Sequence, residues 1–411
     1  MTRIERQRRS LVALAVVAGG GVLCAGSAHA QAAGGMPSGG ARKPFTVDVI
    51  GAILYDSNLS KGSVTVTDAR KLHKSEITYA PALAASTYLP LGRNSVFLNA
   101  SAGYDFREYN KELESGRVNV TGGGLALLGP CQASLSGAYA VQQSNLADLP
   151  IRVTRNRQTT RSVTTQVACA TPTGLTGFVG ANAADMSNSA DFNLVDSDSI
   201  SITGGFGYGG RQLGTLQVIG GYGKTNYGQS SNPLLAPQSG FETYNVGLQY
   251  SRAIGNRLTG SASIGYQTVR SDSPLLSDSS NLTGTGELSY NLNSRMGLSL
   301  SYSRAAAPSI IEGYDYILDQ SVSLGARYTM SSRIQTSFGA TWSKNEYKGS
   351  APVLLDVPTA SEMRTLFGGV SLALGRTASV SLNATQEKRT SKPSIFNYTA
   401  YQVGVTAKKS F

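Results

Sequence analysis

The sequence has very little of what catalytic and metal sites require. Only two histidines, His29 and His73, occur in 411 residues. A metal cluster or nucleophilic triad needs several partners, and one histidine beyond the N-terminal segment cannot supply them. Phosphate-binding glycine loops, G-x-S-x-G and H-E-x-x-H are also absent. The sequence therefore predicts no cofactor, no metal, no nucleic-acid partner and no enzymatic activity, with a lipid-hydrolysing barrel as the alternative.

Long hydrophobic runs are also missing after the first 30 residues. A membrane-spanning helix needs roughly 20 apolar residues, and no later stretch comes near that length. Charged residues make up only 15% of the chain, whereas glycine (47) and tyrosine (20, against 11 phenylalanines) are abundant. This composition excludes a helical membrane protein but does not yet exclude a soluble one.

The N-terminus has the pattern of a secretory signal peptide. Four arginines within the first nine residues precede the apolar core LVALAVVAGGGVLCAG, which ends in AHA. We expect residues 1–30 to be a signal peptide cut after Ala30. Leu23 stands where bacterial lipoproteins usually carry a small residue, so Cys24 is not expected to be lipidated. The alternative is a retained membrane anchor. Residues 31–44, rich in glycine, alanine and proline, are expected to form a periplasmic linker.

From residue 45 onward, apolar and polar residues alternate. In SVFLNASAGYDF, Val96, Leu98 and Tyr104 share one face, whereas Asn99 and Ser101 lie on the other. The same alternation runs through RLTGSASIGYQ, MGLSLSYS, QSVSLGARYT, RIQTSFGATW and AYQVGVTAK. Alternation predicts strands with one apolar and one polar face. Because the polar face is mostly Ser, Thr, Gly, Asn and Gln, we predict an all-β transmembrane barrel with an aqueous lumen.

Short turns and long connections alternate along the chain. Tight turns are centred near positions 92, 130, 172, 211, 255, 294, 332 and 376. Eight such turns, with a first and a last strand, predict an antiparallel up-and-down barrel of about 18 strands over residues 45–411, with 16 as the alternative. Short turns would face the periplasm and long loops the exterior. A propeller shares the spacing of about 40 residues, but the blade motifs are missing.

Aromatic residues of the apolar face fall at two heights. Tyr250, Tyr290 and Tyr328 precede tight turns, and Tyr104, Tyr266, Tyr302 and Trp342 lie at the far strand ends. These positions predict the two interfacial aromatic girdles of an outer-membrane barrel. The chain ends in Phe411, on the parity of Tyr401, Val403 and Val405, which is typical of the signal that the outer-membrane insertion machinery reads.

Two cysteines remain after the predicted signal peptide. Cys131 opens one strand, and Cys169 closes its hairpin partner, at the same height and on the same face. This placement suits a disulfide, and the periplasm is oxidising. We therefore predict a Cys131–Cys169 bond, with two free thiols as the alternative.

Charges and loops suggest how the lumen is lined. Alternation is expected to turn these charged residues inward: Asp105, Arg107, Glu287, Arg327, Arg333, Glu387, Arg389 and Lys408. The excess of basic residues would favour the passage of anions. The alternative is that these charges only keep the lumen hydrated. The third outer loop, 144–160, begins with the apolar LADLPI and continues with Arg152, Arg155 and Arg157. We expect it to fold inward and place these arginines at a constriction; a basic loop near lipopolysaccharide is the alternative.

Several motifs resemble the putative beta-barrel porin 2 family of bacterial outer-membrane proteins. A first strand ends in Tyr55-Asp56-Ser57-Asn58, a strand with Pro81 and Leu83 follows, and the next closes in the aromatic pair Tyr104 and Tyr109. The resemblance implies an outer-membrane channel, often associated with exopolysaccharide export beside a periplasmic polysaccharide-export protein. The resemblance implies no catalytic residues for this chain.

Three functions remain open on these grounds. The first is a passive conduit for exopolysaccharide, with a glycan as cargo. The second is a general or anion-preferring diffusion porin for small solutes. The third is a structural or adhesive barrel that acts through its outer loops. In each case the expected location is the bacterial outer membrane, in contact with its lipid and lipopolysaccharide.

Overall fold

The structure is a computed structural model. It describes residues 45–149, 151, 155–189, 196–210, 212–228, 240–255, 257–272, 278–309, 314–348 and 359–411. The expected signal peptide and linker, residues 1–44, lie outside this part of the chain. No helix among the described residues is long and apolar enough to cross a membrane.

Nineteen strands make up almost all of the regular structure. In chain order they are β1 (Phe45–Asp56), β2 (Glu76–Tyr79), β3 (Ala82–Leu91), β4 (Asn94–Arg107), β5 (Ser115–Leu128), β6 (Cys131–Gln143), β7 (Arg157–Ala170), β8 (Leu175–Asn188), β9 (Ser197–Gly210), β10 (Gly214–Tyr227), β11 (Phe241–Ile254), β12 (Leu258–Ser271), β13 (Ser279–Asn291), β14 (Met296–Pro308), β15 (Tyr316–Thr329), β16 (Ile334–Lys348), β17 (Ala360–Ala373), β18 (Ala378–Lys392) and β19 (Tyr398–Ser410).

The strands close into one antiparallel barrel. Each strand pairs with its neighbours in sequence, and β1 pairs with β19 in a register that sets Tyr55 opposite Val403. Because β2 and β3 both pair with β1 and β4, they are two parts of one barrel strand. The barrel therefore has 18 strands, as predicted.

The second barrel strand is interrupted where the sequence predicted a continuous one. The break falls at Ala80 and Pro81, between β2 and β3. Proline has no N–H to donate to a neighbouring strand, which explains why pairing stops there. The Pro81 carbonyl still accepts a bond from the Tyr104 N–H at 3.1 Å, and Ala80 exchanges bonds with Ala52. The barrel thus stays closed across the interruption.

Short connections lie at one end of the barrel and long ones at the other. All eight predicted tight turns lie between paired strands; in those at Gly92 and Gly129, φ is +65° and +62°. This left-handed region favours glycine, because other residues meet their own Cβ there. By the architecture of such barrels, the short-turn end is periplasmic and the long-loop end extracellular.

The apolar face of each strand points outward. Val49, Ile53 and Tyr55 on β1 are 45–52% exposed, and the girdle residues Tyr104 and Tyr250 are 39% and 40% exposed. The inner face carries the intervening small and polar residues. At the extracellular end, the outer loops contain helix α1 (Val64–Ala69) and short 3₁₀ helices at Lys111–Leu113, Leu146–Asp148 and Ser394–Phe396. Helix α1 was not expected from the sequence.

Candidate functional site

A buried hydrophobic cluster lies at the extracellular mouth of the barrel. It joins residues of four outer loops to the ends of two strands: Leu72, Leu113, Leu146, Leu149, Tyr314, Ile317 and Tyr347, with Leu59 and Met186 packed against it. Leu149 and Leu113 are 0% and 1% exposed. We call this cluster, with the polar contacts that hold it, the loop plug. Apolar burial of this kind is the main reason for loops to fold away from water.

The loop plug spans the barrel from side to side. The third outer loop, residues 144–156, leaves the wall between β6 and β7, whereas Ile317 and Tyr347 belong to β15 and β16. These strand pairs are nine strands apart in an 18-strand ring, so they face each other across the lumen. The apolar half of the third loop therefore lies inside the mouth.

Arg70 links the first outer loop to the third. Its side chain is 3% exposed, and Nη2 donates to the carbonyl oxygens of Leu146 and Leu149, both at 2.9 Å. Nη1 donates to the carbonyl of Ser60 within its own loop. A buried guanidinium that satisfies several carbonyls fixes the position of each segment it touches, because leaving any of them unpaired is costly.

The barrel wall at β18 holds the third loop from a second direction. Arg389, on the inner face of β18 and 3% exposed, donates a hydrogen bond from Nη1 to the carbonyl of Ala147. Ala147 also packs against Tyr398 and Ala400 of β19. The third loop is thus attached both to the first loop and to the wall near the barrel seam.

A buried ion-pair network lies beneath the first loop. Lys61 Nζ is 3.3 Å from Asp56 Oδ2 and 3.4 Å from Glu387 Oε2, and these side chains are only 5–7% exposed. The Tyr398 hydroxyl donates to Glu387, and Gln402 Nε2 donates to Asp56 Oδ2 at 2.8 Å. One buried cation therefore connects a loop, the end of β1 and the wall at β18.

The Tyr55–Asn58 segment has a structural role in this network. Tyr55 points outward, whereas Asp56 and Asn58 are 5% and 3% exposed beneath the loop. Asp56 Oδ1 accepts from the Asn58 N–H at 2.8 Å, and Asn58 Nδ2 donates to the Gly62 carbonyl at 3.1 Å. The side chains thus bond the backbone where β1 turns into the first loop, as an Asx turn does.

Glu76 organises the second outer loop. Its carboxylate is fully buried and accepts from the backbone N–H groups of Glu108, Tyr109 and Asn110 at 2.9, 3.1 and 2.9 Å. Asn110 Nδ2 adds a fifth bond at 2.8 Å, beside the one from the Ile77 N–H. A buried charge is tolerated when every lone pair is satisfied in this way.

A second cluster lies further along the rim. Phe241, Val269 and Tyr316 are buried together, with Tyr227 packed against them. Asp315, in the loop before β15, accepts from Ser271 Oγ at 2.7 Å. Burial away from water raises the pKa of Asp315 above its ordinary value, because it disfavours the charged carboxylate, although the Ser271 bond opposes this shift.

The arginines predicted for the third loop do not gather at one point. Arg152 lies outside the described residues. Arg155 is exposed, and Arg157 opens β7 on the parity of the outward-facing Val163. Among the residues that the structure describes, the buried cations at the mouth are instead Lys61, Arg70 and Arg389.

The remaining predicted pore residues occupy different heights. Arg107 lies near the extracellular end, where Nε donates to the Leu113 carbonyl at 3.2 Å. Arg327 has inward parity near the periplasmic end of β15 and is exposed. Arg333 lies in the turn between β15 and β16 rather than on the wall. Phe411 follows β19, points outward and donates its N–H to the Val47 carbonyl at 2.9 Å.

The expected basic excess on the inner face is not found among the described residues. By strand alternation the inner face carries seven acidic residues, Asp48, Asp56, Glu76, Asp105, Glu287, Asp319 and Glu387, against five basic ones, Arg107, Arg117, Arg327, Arg389 and Lys408. Four of these acids, Asp48, Asp56, Glu76 and Asp319, were not expected there from the sequence. Several charges also pair across strands, as Lys408 with Asp48 at 2.7 Å and Arg117 with Asp105 at 3.0 Å. A pairing of this kind cancels the field of both partners.

The two cysteines lie at directly paired positions of β6 and β7. The structure joins Cys131 and Cys169 by a disulfide, with the Cα atoms 4.0 Å apart. Within the described chain, no group of three or more His, Cys, Asp or Glu residues is arranged to hold a metal ion.

The buried positions of Lys61, Arg70 and Glu76 were not expected from the sequence. Each lies in or beside a polar loop where a single charge is typical of a solvated surface. Only the fold of the loops into the lumen buries them, and no local pattern signals that fold.

Comparisons with known proteins give low sequence similarity. No curated protein matches this chain. A BenF-like porin from Pseudomonas fluorescens Pf-5 is 12% identical, with a TM-score of 0.46 over 89% of this chain and 99% of that one. OccK2 (OpdF) from Pseudomonas aeruginosa is 13% identical, with a TM-score of 0.47 over 89% and 98%. The siderophore receptor PirA from the same species is 13% identical, with a TM-score of 0.44 over 90% and 81%.

A family model covers the second part of the barrel. The model described as putative beta-barrel porin 2 matches residues 238–411, which hold β11 to β19. The match confirms the resemblance for this part of the chain, although the motifs around Tyr55 lie outside it. The closed 18-strand barrel with its outward apolar face is a transmembrane β-barrel of the bacterial outer membrane.

Proposed function

We propose that the chain is a passive channel for small, water-soluble solutes. A barrel of 18 strands is too wide for its own side chains to fill and leaves an aqueous lumen. The observation that carries the proposal is the loop plug, because buried residues from Leu146 to Tyr347 cross the mouth and narrow it. A narrowed mouth suits small solutes better than an extended glycan.

The test is permeation by solutes of graded size. Purified protein in liposomes should admit small sugars and organic acids, with rates that fall steeply as solute size rises, and planar bilayers should show discrete single-channel steps. Absence of both size-dependent swelling and channel steps would contradict the proposal. No residue is assigned a catalytic role.

Export of exopolysaccharide beside a periplasmic polysaccharide-export protein is a second candidate. It is supported by the resemblance of the Tyr55–Asn58 segment to the family pattern, and it requires the loop plug to move aside. Deleting the gene and measuring exopolysaccharide in the medium separates the two: unchanged secretion would rule out export.

Three further expectations belong with this proposal. Residues 1–30 would direct secretion, residues 31–44 would form a periplasmic linker, and Phe411 would serve the insertion machinery. We also propose that Arg152 and Arg155 line the part of the lumen that the third loop leaves open. If conductance and ion preference do not change when Arg152, Arg155 and Arg157 all become alanine, these arginines form no constriction.

A further inference from the structure

In the sequence, six of the eight periplasmic turns carry an arginine. Five of these arginines belong to the described residues, and Arg211 lies outside them. The five side chains, one in each turn, are all exposed: Arg93, Arg257, Arg295, Arg333 and Arg376. No aspartate or glutamate occurs in any of the eight turn sequences. The turns recur every second strand, so the arginines lie at one height around the mouth. We call them the periplasmic arginine ring.

These arginines differ from the charges of the barrel wall. Wall cations such as Lys408 and Arg117 have a carboxylate within 3.0 Å, whereas no ion pair forms at any of the five turn arginines within the described chain. The acidic groups nearest this rim are few. Asp48 is one of them, and it is paired with Lys408 at 2.7 Å. The periplasmic mouth therefore carries a net positive charge that the lumen does not.

We propose that the periplasmic arginine ring selects small anions at the periplasmic mouth of the channel. This inference rests on the proposed function as a passive channel and adds the charge class of its solutes. Rings of cationic side chains at a pore favour anions by lowering their local energy. With strands about 4.8 Å apart and tilted, 18 strands give a radius of roughly 17 Å. The Debye length is about 30 Å at 0.01 M salt, so the five fields add on the pore axis.

The experiment is a reversal-potential measurement in neutral-lipid planar bilayers. At about 0.01 M KCl, the wild type should prefer chloride over potassium on the order of threefold. The preference should vanish near 1 M, where the Debye length is about 3 Å. Neutral lipid removes any contribution from charged headgroups.

Three variants change these five arginines and Arg211 together, because Arg211 belongs to a sixth turn. Replacement by glutamine should abolish the anion preference, replacement by lysine should keep it, and replacement by glutamate should reverse it to a cation preference. Because the side chains are exposed at turn tips, the barrel should fold in each case, and circular dichroism checks this. If the glutamate variant does not fold, the comparison of the glutamine and lysine variants still tests the proposal.

The outcomes distinguish a failure of this inference from a failure of the proposed function. Glutamine variants that conduct with unchanged selectivity overturn the inference alone, and show that the arginines contact lipid headgroups or solvent only. A loss of selectivity in the lysine variant also overturns it, since charge would then not be the cause. A wild type that forms no channels overturns the proposed function, and this inference with it.

Discussion

Arg389, on the inner face of β18, donates a hydrogen bond to the carbonyl oxygen of Ala147 in the third outer loop. The two residues are 242 positions apart in the sequence. Ala147 packs on the same side against Tyr398 and Ala400. The contact attaches the apolar half of a long loop to the wall near the barrel seam, so a second buried guanidinium, beside that of Arg70, holds the loop plug in place.

Substituting Arg389 by glutamine is expected to loosen the loop plug. The change removes a charge-assisted hydrogen bond, worth about 1.5–3 kcal/mol when buried. Single-channel recordings should show a larger mean conductance and more frequent fluctuations than in the wild type. Arg327→Gln is the control, because it removes the same charge from the inner face near the periplasmic end. Equal effects of both substitutions would mean that charge, and not plug attachment, is responsible.

Lys61→Met should destabilise the barrel strongly. It leaves the buried carboxylates of Asp56 and Glu387 without their shared cation, and breaking a buried ion pair costs about 3–5 kcal/mol. Thermal unfolding followed by circular dichroism measures this loss, and adding Glu387→Gln should recover part of it. Lys111→Met is the control: its pair with Glu114 is at the surface, with Lys111 68% exposed, so a change below about 1 kcal/mol is expected. Similar losses in both variants would contradict the network.

The Cys131–Cys169 disulfide is expected to protect the barrel during unfolding. A sequence separation of 38 residues corresponds to about 3–4 kcal/mol in the chain-entropy model. Cys131→Ser with Cys169→Ser should therefore lower the thermal midpoint, and reduction of the wild type should lower it equally. Thiol labelling of unreduced, denatured protein should find no reactive cysteine in the mature chain. Two labelled thiols would show that the bond does not form in the cell.

The raised pKa of Asp315 predicts that the stability of the protein depends on pH. Burial raises its pKa in the folded protein above the unfolded value. Its stabilising contribution is therefore complete below the unfolded pKa and is lost as the pH rises through the folded pKa. Asp315→Asn keeps a neutral side chain, so this variant should match the wild type in acid and exceed it in stability above that window. Thermal midpoints from pH 4 to pH 8 measure the difference.

The control for this prediction is Asp278→Asn. Asp278 is 59% exposed and pairs at 3.7 Å with Arg270, so its replacement should leave the pH profile unchanged. If Asp315→Asn gives the same midpoint difference at every pH, titration of Asp315 does not control stability.

The strands, their turns and their number follow from local patterns. Alternation in segments such as 95–106 places Leu98 and Tyr104 outward, because successive side chains of a strand point to opposite faces. Turn chemistry at Gly92 and Gly129 fixes where strands end. The facing positions of Cys131 and Cys169 also follow from counting along one hairpin.

Alternation along a single segment does not correctly place all of the charges on the inner face. Asp48 and Glu76 lie near strand starts, where register cannot be read from a single segment, and Arg333 falls one residue short of a strand. An error of one residue exchanges the two faces of a strand. The charge balance of the lumen could therefore be obtained only from the paired register of the closed barrel.

An 18-strand barrel with short periplasmic turns follows from local sequence patterns, because these features depend on neighbours within one hairpin. The positions of the periplasmic arginine ring follow in the same way, since each arginine lies in a turn that is visible locally. The role of Arg70, Arg389 and Lys61 in holding loops inside the mouth depends on tertiary contacts. Those contacts join residues from 76 to more than 300 positions apart, and barrel closure alone brings them together. Burial then turns charges that look like surface residues into the groups that position the loop plug.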